Sequence, residues 1–436
     1  MKKFLILFVL ILLLLALGSG GVAYRYPHVI AIAEEGFPAK VWPAKGIYVD
    51  VVGKPKQWPH KFEANDRLET EFGKKLQQLN IENETDALVA YHKGKLQYAY
   101  FRDGFSEKTQ FNSYSMAKSL IGYLVLKAID EGEIDGLDTP IGTYLIDLKD
   151  EALKKQIIER FLTMRSGLRI EKKGPPKPLA KDAKRGPDKD ASNPFTLLAQ
   201  MHIEGLPGIL DYLEMPENPS DEYHYQNVNT ALLGLMLTRI YKKPLNVLLS
   251  EKIWKPAGAS HAHWRTYTDE GSVTPYCCLF ATVEDWAKVA YFLSKNGMTM
   301  EQAHHLKSDR SGNDIQLAGD EAESAQQLTP FLQSSLVLKY MVADRFEKKD
   351  LREGVYGLHV RHDILDREGE AIQGPFTYFV GHGGQLVYML PEHDLVIVRF
   401  GRKHTLLHST VYFLWRSLHE QAGSSKDNEK HSSVRQ

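Results

Sequence analysis

Ser115-Met116-Ala117-Lys118 decides how this chain is read, because a serine three residues ahead of a lysine shares one face of a helix with it. A serine hydroxyl attacks only if a nearby base takes its proton. A lysine is such a base only when neutral, which burial favours and neighbouring carboxylates oppose. Met116, Ala117 and Leu120 supply apolar surroundings. Alone the tetrapeptide is a weak motif: chance yields roughly one or two Ser-x-x-Lys matches in a chain of this length, and an ordinary helix start with a solvated lysine explains it as well.

Two further stretches carry compatible chemistry. In Glu222-Tyr223-His224-Tyr225-Gln226-Asn227-Val228-Asn229, a tyrosine beside a lysine ammonium can be held partly as phenolate and relay the serine proton to a leaving group, with the Asn227 amide orienting lysine and substrate. The plain alternative is a helix cap in which Asn227 or Asn229 satisfies free N–H groups. In Gly381-His382-Gly383-Gly384-Gln385, three glycines at a strand start suggest that a backbone or ligand approaches closely. A free N–H there and that of Ser115 could stabilise an oxyanion; a hairpin or bulge is the structural alternative.

Outward from these motifs the chain reads as strands, helices, strands, helix. Asn65 or Asp66 caps a helix carrying Leu68, Phe72, Leu76 and Leu79 at helical spacing. A hairpin follows, Ala87 to Tyr91 and Leu96 to Phe101 about Lys93-Gly94-Lys95. The helix from Ser115 to Glu131 is apolar around most of its circumference, so it is expected inside the fold. Residues about 135–260 read as a mainly helical subdomain without strands. Strand character returns at Gly354 to Val360, Phe376 to Val380, Gln385 to Leu390 and Leu395 to Phe400, before a helix from Thr405 to Glu420. This order predicts an α+β domain over 61–421, an antiparallel sheet flanked by helices with an inserted helical subdomain, and a site at their junction. Residues 25–60, with Pro27, Pro38, Pro43, Pro55 and Pro59, read as a linker arm, and 422–436 as a disordered tail. The Lys/Pro-rich stretch 171–193 reads as a solvated insertion loop.

Composition excludes some functions. The 436 residues carry 54 Lys plus Arg against 55 Asp plus Glu, a formal net charge of -1, so no global field draws nucleic acid. The only cysteines are the neighbours Cys277 and Cys278, read as small buried apolar residues because adjacent cysteines rarely reach disulfide geometry. His261-Ala262-His263 lacks a following aspartate and His304-His305 reads as a surface pair, so neither metal nor cofactor is expected. No Gly-x-Ser-x-Gly elbow is present. Lys2 and Lys3 precede an unbroken apolar run, Phe4 to Leu17, and the first later charge is Arg25. Residues 1–24 therefore read as a single-pass anchor in the inner, cytoplasmic membrane with the domain on the periplasmic or extracytoplasmic side. The alternative is a signal peptide cleaved near Ala16-Leu17-Gly18, releasing the chain to the periplasm.

In order, Ser-x-x-Lys, Tyr-x-Asn and His-x-Gly resemble the signature of the serine β-lactamase-related hydrolases: class C β-lactamases, low-molecular-weight penicillin-binding proteins, family VIII esterases and 6-aminohexanoate-dimer hydrolases. Leu162 to Leu168 is similar to that family's "LLTxxSGL" turn and Cys278 to Asp285 to its "GGLxSTxxD" segment. Trp264 to Gly271 and Gly384 to Tyr388 look most like the nylon-oligomer branch. The resemblance implies a β-lactamase/transpeptidase-like fold, Ser115 as the acylated nucleophile, Lys118 as its proton partner and Tyr225 as general base and acid. It further implies that Asn227, His382 and Gly384 line the substrate and that the N–H groups of Ser115 and Gln385 form the oxyanion hole. His382-Gly383-Gly384 stands where penicillin-recognising enzymes have Lys-Thr-Gly, so the expected substrate is a small ester or amide. The competing expectations are a penicillin-binding or β-lactamase-type enzyme and a catalytically silent cell-wall-binding domain of the same fold.

Overall fold

A computed structural model describes residues 21, 24–36, 38–56, 70–170, 195–267, 272–299, 302, 330–336, 354–364, 375–403 and 408–418. The expected leader apart from residues 21 and 24, the insert 171–193, His304-His305 and the tail lie outside them. Among the described residues no helix is long and apolar enough to cross a membrane.

The main sheet has seven strands: β2 (Thr85–His92), β3 (Lys95–Phe101), β9 (Val355–Gly357), β10 (Val360–Ile364), β11 (Pro375–Gly381), β12 (Gln385–Leu390) and β13 (Leu395–Gly401). They lie in the order β3-β2-β13-β12-β11-β10-β9, each pair antiparallel. The N-terminal hairpin thus joins the C-terminal strands through β2 and β13. Alternation along β2 shows why its sequence is apolar throughout: Ala87, Val89 and Tyr91 belong to one core, Leu88 and Ala90 to the core on the opposite face. Helix α2 (Glu71–Glu82), through Leu76, and a C-terminal helix over 408–418, through Val411, Leu414 and Trp415, build the second core. Helices α3 (Ala117–Asp130), α5 (Asn227–Tyr241) and α6 (Val283–Ser294) build the first. A capping box starts α6: Thr282 and Asp285 each bond the other's backbone N–H. Asp285 also accepts from Ser260 N and Oγ, both at 2.7 Å.

Several expectations need correction. Within the expected linker arm 25–60, the described residues up to 56 pack into the domain, for Pro27–Glu35 forms helix α1 and Tyr48–Val51 forms β1. Strand β1 edges a second sheet, with β7 (Ala262–Arg265), β8 (Leu279–Ala281) and β4 (Phe111–Asn112). Arg265 Nε and Nη2 each donate at 2.6 Å to the Glu35 carboxylate, binding α1 to this sheet. Pro27 stands at a helix start, where the missing N–H is no loss, and strands this short show no alternation in sequence. The cap of α2 is Thr70, whose hydroxyl accepts from Gly73 N at 3.0 Å. The helical segment holds a two-stranded ribbon, β5 (Arg169–Ile170) with β6 (Leu213–Glu214), beside helix α4 (Leu197–Glu204). Cys277 and Cys278 are joined in a vicinal disulfide, their Cα atoms 3.7 Å apart, with Cys278 at φ +70°. His263 stacks on Trp42 at 4.1 Å and meets Asp50 Oδ1 at 3.0 Å. Among the described residues no metal-ligand cluster forms.

Candidate active site

Ser115 lies in a 3-10 turn, Tyr114–Met116, that runs directly into α3. Its neighbour Tyr114 has φ +44°, a left-handed conformation that costs a non-glycine residue about 1–3 kcal/mol. Tertiary bonds hold it there: Tyr114 N donates to Asn112 Oδ1 at 2.9 Å and its hydroxyl to the Pro38 carbonyl at 2.9 Å. Strand β8 braces the preceding residue, with Ser113 N donating to Leu279 O at 2.8 Å and Leu279 N to Ser113 Oγ at 3.2 Å. The N-terminal arm and the second sheet thereby set the serine's backbone.

Lys118 Nζ donates to Ser115 Oγ at 3.1 Å and to the Tyr276 carbonyl at 2.9 Å. The side chain is 2% exposed, and among the described residues no carboxylate pairs with it. Burial holds its pKa well below the ordinary lysine value. The ammonium position lies 4.8 Å from the Tyr225 ring and 5.7 Å from that of Tyr276. Burial pushes Tyr225 up to about 12, partly opposed by its bond with Ser115 and by the charge of Arg361. The two shifts point the same way, toward neutral lysine and protonated phenol, and away from the phenolate expected from sequence.

Tyr225 is positioned by the turn that resembles "LLTxxSGL". Its flanking backbone is tied to Met164: His224 N donates to Met164 O at 2.8 Å and Gln226 N to Met164 Sδ at 3.5 Å. Ser166 Oγ donates to Asn229 Oδ1 at 2.8 Å inside α5, so Asn229 is a tertiary brace and caps nothing. Asn227 opens α5 two residues beyond Tyr225. Among the described residues its amide makes no hydrogen bond; the Tyr276 carbonyl is what orients Lys118.

The third motif is the hairpin turn between β11 and β12. Gly383 and Gly384 have φ +80° and +78°. A Cβ on Gly381 would stand 2.3 Å from the Ser113 carbonyl oxygen, so the absent side chain lets the end of β11 reach the nucleophile turn. His382 is exposed, its ring 5.4 Å from that of Tyr114. The Gln385 side chain is engaged within the fold, donating to His382 O at 2.8 Å and Gly401 O at 3.0 Å and accepting from Gly401 N at 2.9 Å. Ser115 with Lys118, Tyr225 and the His382 turn therefore converge from three separate parts of the chain.

The Beta-lactamase family model matches residues 72–407, well over half of the sequence. The chain belongs to the Beta-lactamase family. The fold is also similar to a putative 6-aminohexanoate-dimer hydrolase from Bacillus anthracis, at 20% identity and TM-score 0.61, covering 87% of this chain and 92% of that one. EstCE1, a hydrolase with promiscuous acyltransferase activity, aligns at 12% identity and TM-score 0.54 over 79% of this chain and 98% of its own. A class C beta-lactamase aligns at 15% identity and TM-score 0.51 over 82% and 99%. No curated protein sequence matches the chain. The protein thus has the fold of the family's serine hydrolases.

Within this member of the Beta-lactamase family, several residues around the site were not expected from sequence. Tyr276 supplies the carbonyl for Lys118; its only local signal is its place just before the segment similar to "GGLxSTxxD". His359, fully enclosed, meets Leu162 O through Nδ1 at 2.9 Å and Thr230 Oγ1 through Nε2 at 2.9 Å. Burial pushes it down to about 3, opposed by the Leu162 bond and reinforced by Lys118, so it is a neutral brace between Leu162 and Thr230 of α5. Arg399 fixes the hairpin turn, donating to Gly384 O at 2.5 Å, Asn83 O at 2.8 Å and Thr85 Oγ1 at 3.0 Å. A cavity of about 210 Å³ between α4 and α5, lined by Leu206, Ala231, Leu235 and Tyr267 among others, is not lined by Ser115, Lys118 or Tyr225.

Proposed function

We propose that the protein is a serine hydrolase that cleaves a small ester or amide through an acyl-enzyme on Ser115. The observation that carries this reading is the buried Lys118 amine 3.1 Å from Ser115 Oγ, with no carboxylate among the described residues to hold its proton. Neutral Lys118 takes the Ser115 proton as Oγ bonds to the substrate carbonyl carbon. The bond to the leaving oxygen or nitrogen then breaks. The proton reaches that atom through the Tyr225 hydroxyl, which gives up its own proton and regains one from Lys118. Water, deprotonated along the same path, attacks the acyl carbon and restores the Ser115 hydroxyl. The exposed imidazole of His382, where a lysine would otherwise offer a fixed charge, favours substrates other than β-lactams.

Incubating the purified protein with a fluorophosphonate probe and with p-nitrophenyl esters tests the assignment. Ser115 should be labelled, and Ser115→Ala should abolish labelling and turnover. Unchanged activity in that variant would overturn the assignment; an acyl-enzyme that forms without turning over would favour a silent binding domain. Lys2 and Lys3 followed by the apolar run from Phe4 support an exported enzyme held at the cytoplasmic membrane. A chain lacking residues 1–24 should then move from the membrane fraction to the soluble one; finding the full chain in the cytosol would contradict the anchor.

A further inference from the structure

Arg361 lies on β10, opposite Tyr356 of β9 and Tyr378 of β11. Its Nη2 donates to the Tyr223 hydroxyl at 3.4 Å, and its guanidinium carbon stands 5.2 Å from the Tyr356 ring. The Tyr356 ring in turn meets those of Tyr223 at 5.2 Å and Tyr225 at 6.1 Å. One aromatic ring therefore separates a fixed cation from Tyr225.

Other arginines near the interior have their forks filled. Arg265 holds Glu35, and Arg399 has two carbonyls and a hydroxyl. Among the described residues no carboxylate pairs with Arg361; the side chains placed against it are the phenols of Tyr223 and Tyr356, with Tyr378 opposite it on β11. A partly buried cation without a counter-ion is costly, and stacking on Tyr356 offsets only part of that cost. None of its nitrogens is both sealed from solvent and unpaired, so the unused donors remain open to an incoming group. A guanidinium presents paired N–H groups in the plane that matches a carboxylate.

We propose that Arg361 binds a carboxylate on the substrate, so that the preferred ester or amide carries one on its acyl or its leaving part. This rests on the serine hydrolase reading above. Two matched ester pairs test it: p-nitrophenyl esters whose acyl chains of equal length end in methyl or carboxylate, and phenyl against carboxyphenyl esters. Wild type should prefer the charged member of at least one pair, chiefly through KM and by roughly tenfold. Arg361→Gln should raise KM for that member by about that factor more than for its neutral partner, and Arg361→Lys should recover part of the difference. If wild type shows no preference, or if Arg361→Gln depresses both members equally, the proposal is wrong. Fluorophosphonate labelling of Ser115 in wild type and variants separates the two failures. Labelling without a charge preference removes only the Arg361 role, whereas no labelling removes the hydrolase reading and this proposal with it. Should Arg361→Gln fail to fold, Arg361→Lys must still narrow the preference, and a preference unaltered there overturns the proposal.

Discussion

Lys118 carries a potential charge where a charge is expensive, and that cost is what makes it a base. Unfolded, it would titrate at the ordinary value of 10.5; folded, burial holds it well below. Between the two values the unfolded chain binds the extra proton, so this group makes stability rise with pH, and its cost disappears only above about pH 10.5. In thermal or urea melts, Lys118→Met should lose pH dependence relative to wild type. Within that window the balance should move toward wild type by about 1.4 kcal/mol per pH unit; parallel pH profiles would contradict the shift. The kcat/KM of wild type should rise with pH as the folded lysine deprotonates, and Tyr225, pushed up to about 12, should add no decline below that pH. Tyr225→Phe, keeping the ring beside Lys118, should lower kcat by about 10²- to 10⁴-fold with a much smaller change in KM. Stopped-flow or steady-state ester hydrolysis would show it.

Elements bring these groups together through close backbone approaches. The end of β11 passes Ser113 only because Gly381 has no side chain, and Gly122 of α3 likewise admits the Leu358 carbonyl, 2.4 Å from where a Cβ would be. Gly381→Ala should therefore displace the nucleophile turn or the hairpin, cutting ester hydrolysis sharply while circular dichroism keeps the native sheet signal. Wild-type activity in that variant would show that the approach is slack. The hairpin glycines announced this contact in sequence, since few other roles require several so close together at a strand end. The strands β2, β11, β12 and β13 were equally legible, because burial on both faces selects continuous apolar runs. Strands β1, β4, β7 and β8 were not: four residues or fewer carry no period, and the β1–β7 and β4–β8 pairings join segments far apart in the chain.

At the scale of the whole molecule, the N-terminal segment is a working part of the domain. Its carbonyls at Pro38 and Ala39 hold Tyr114 and Asn112, and Glu35 neutralises Arg265 where both are largely enclosed. Glu35→Ala should lower stability by about 3–5 kcal/mol by stranding the guanidinium, whereas adding Arg265→Met should recover much of the loss. Chemical denaturation of both variants checks this; equal losses would mean that packing, and not the unpaired charge, sets the cost. The amino-acid sequence by itself determined the order of the three motifs, the helical face shared by Ser115 and Lys118, and the strands with two buried faces. Each of these is written in local period or turn chemistry. Only the tertiary structure decided that Lys118 is a buried amine bonded to Tyr276, that burial pushes Tyr225 toward its protonated form, that Arg361 has no counter-ion among the described residues, and that the described part of the proline-rich arm belongs to the fold. Those properties depend on desolvation and charge summed over neighbours far apart in sequence, which no local pattern records.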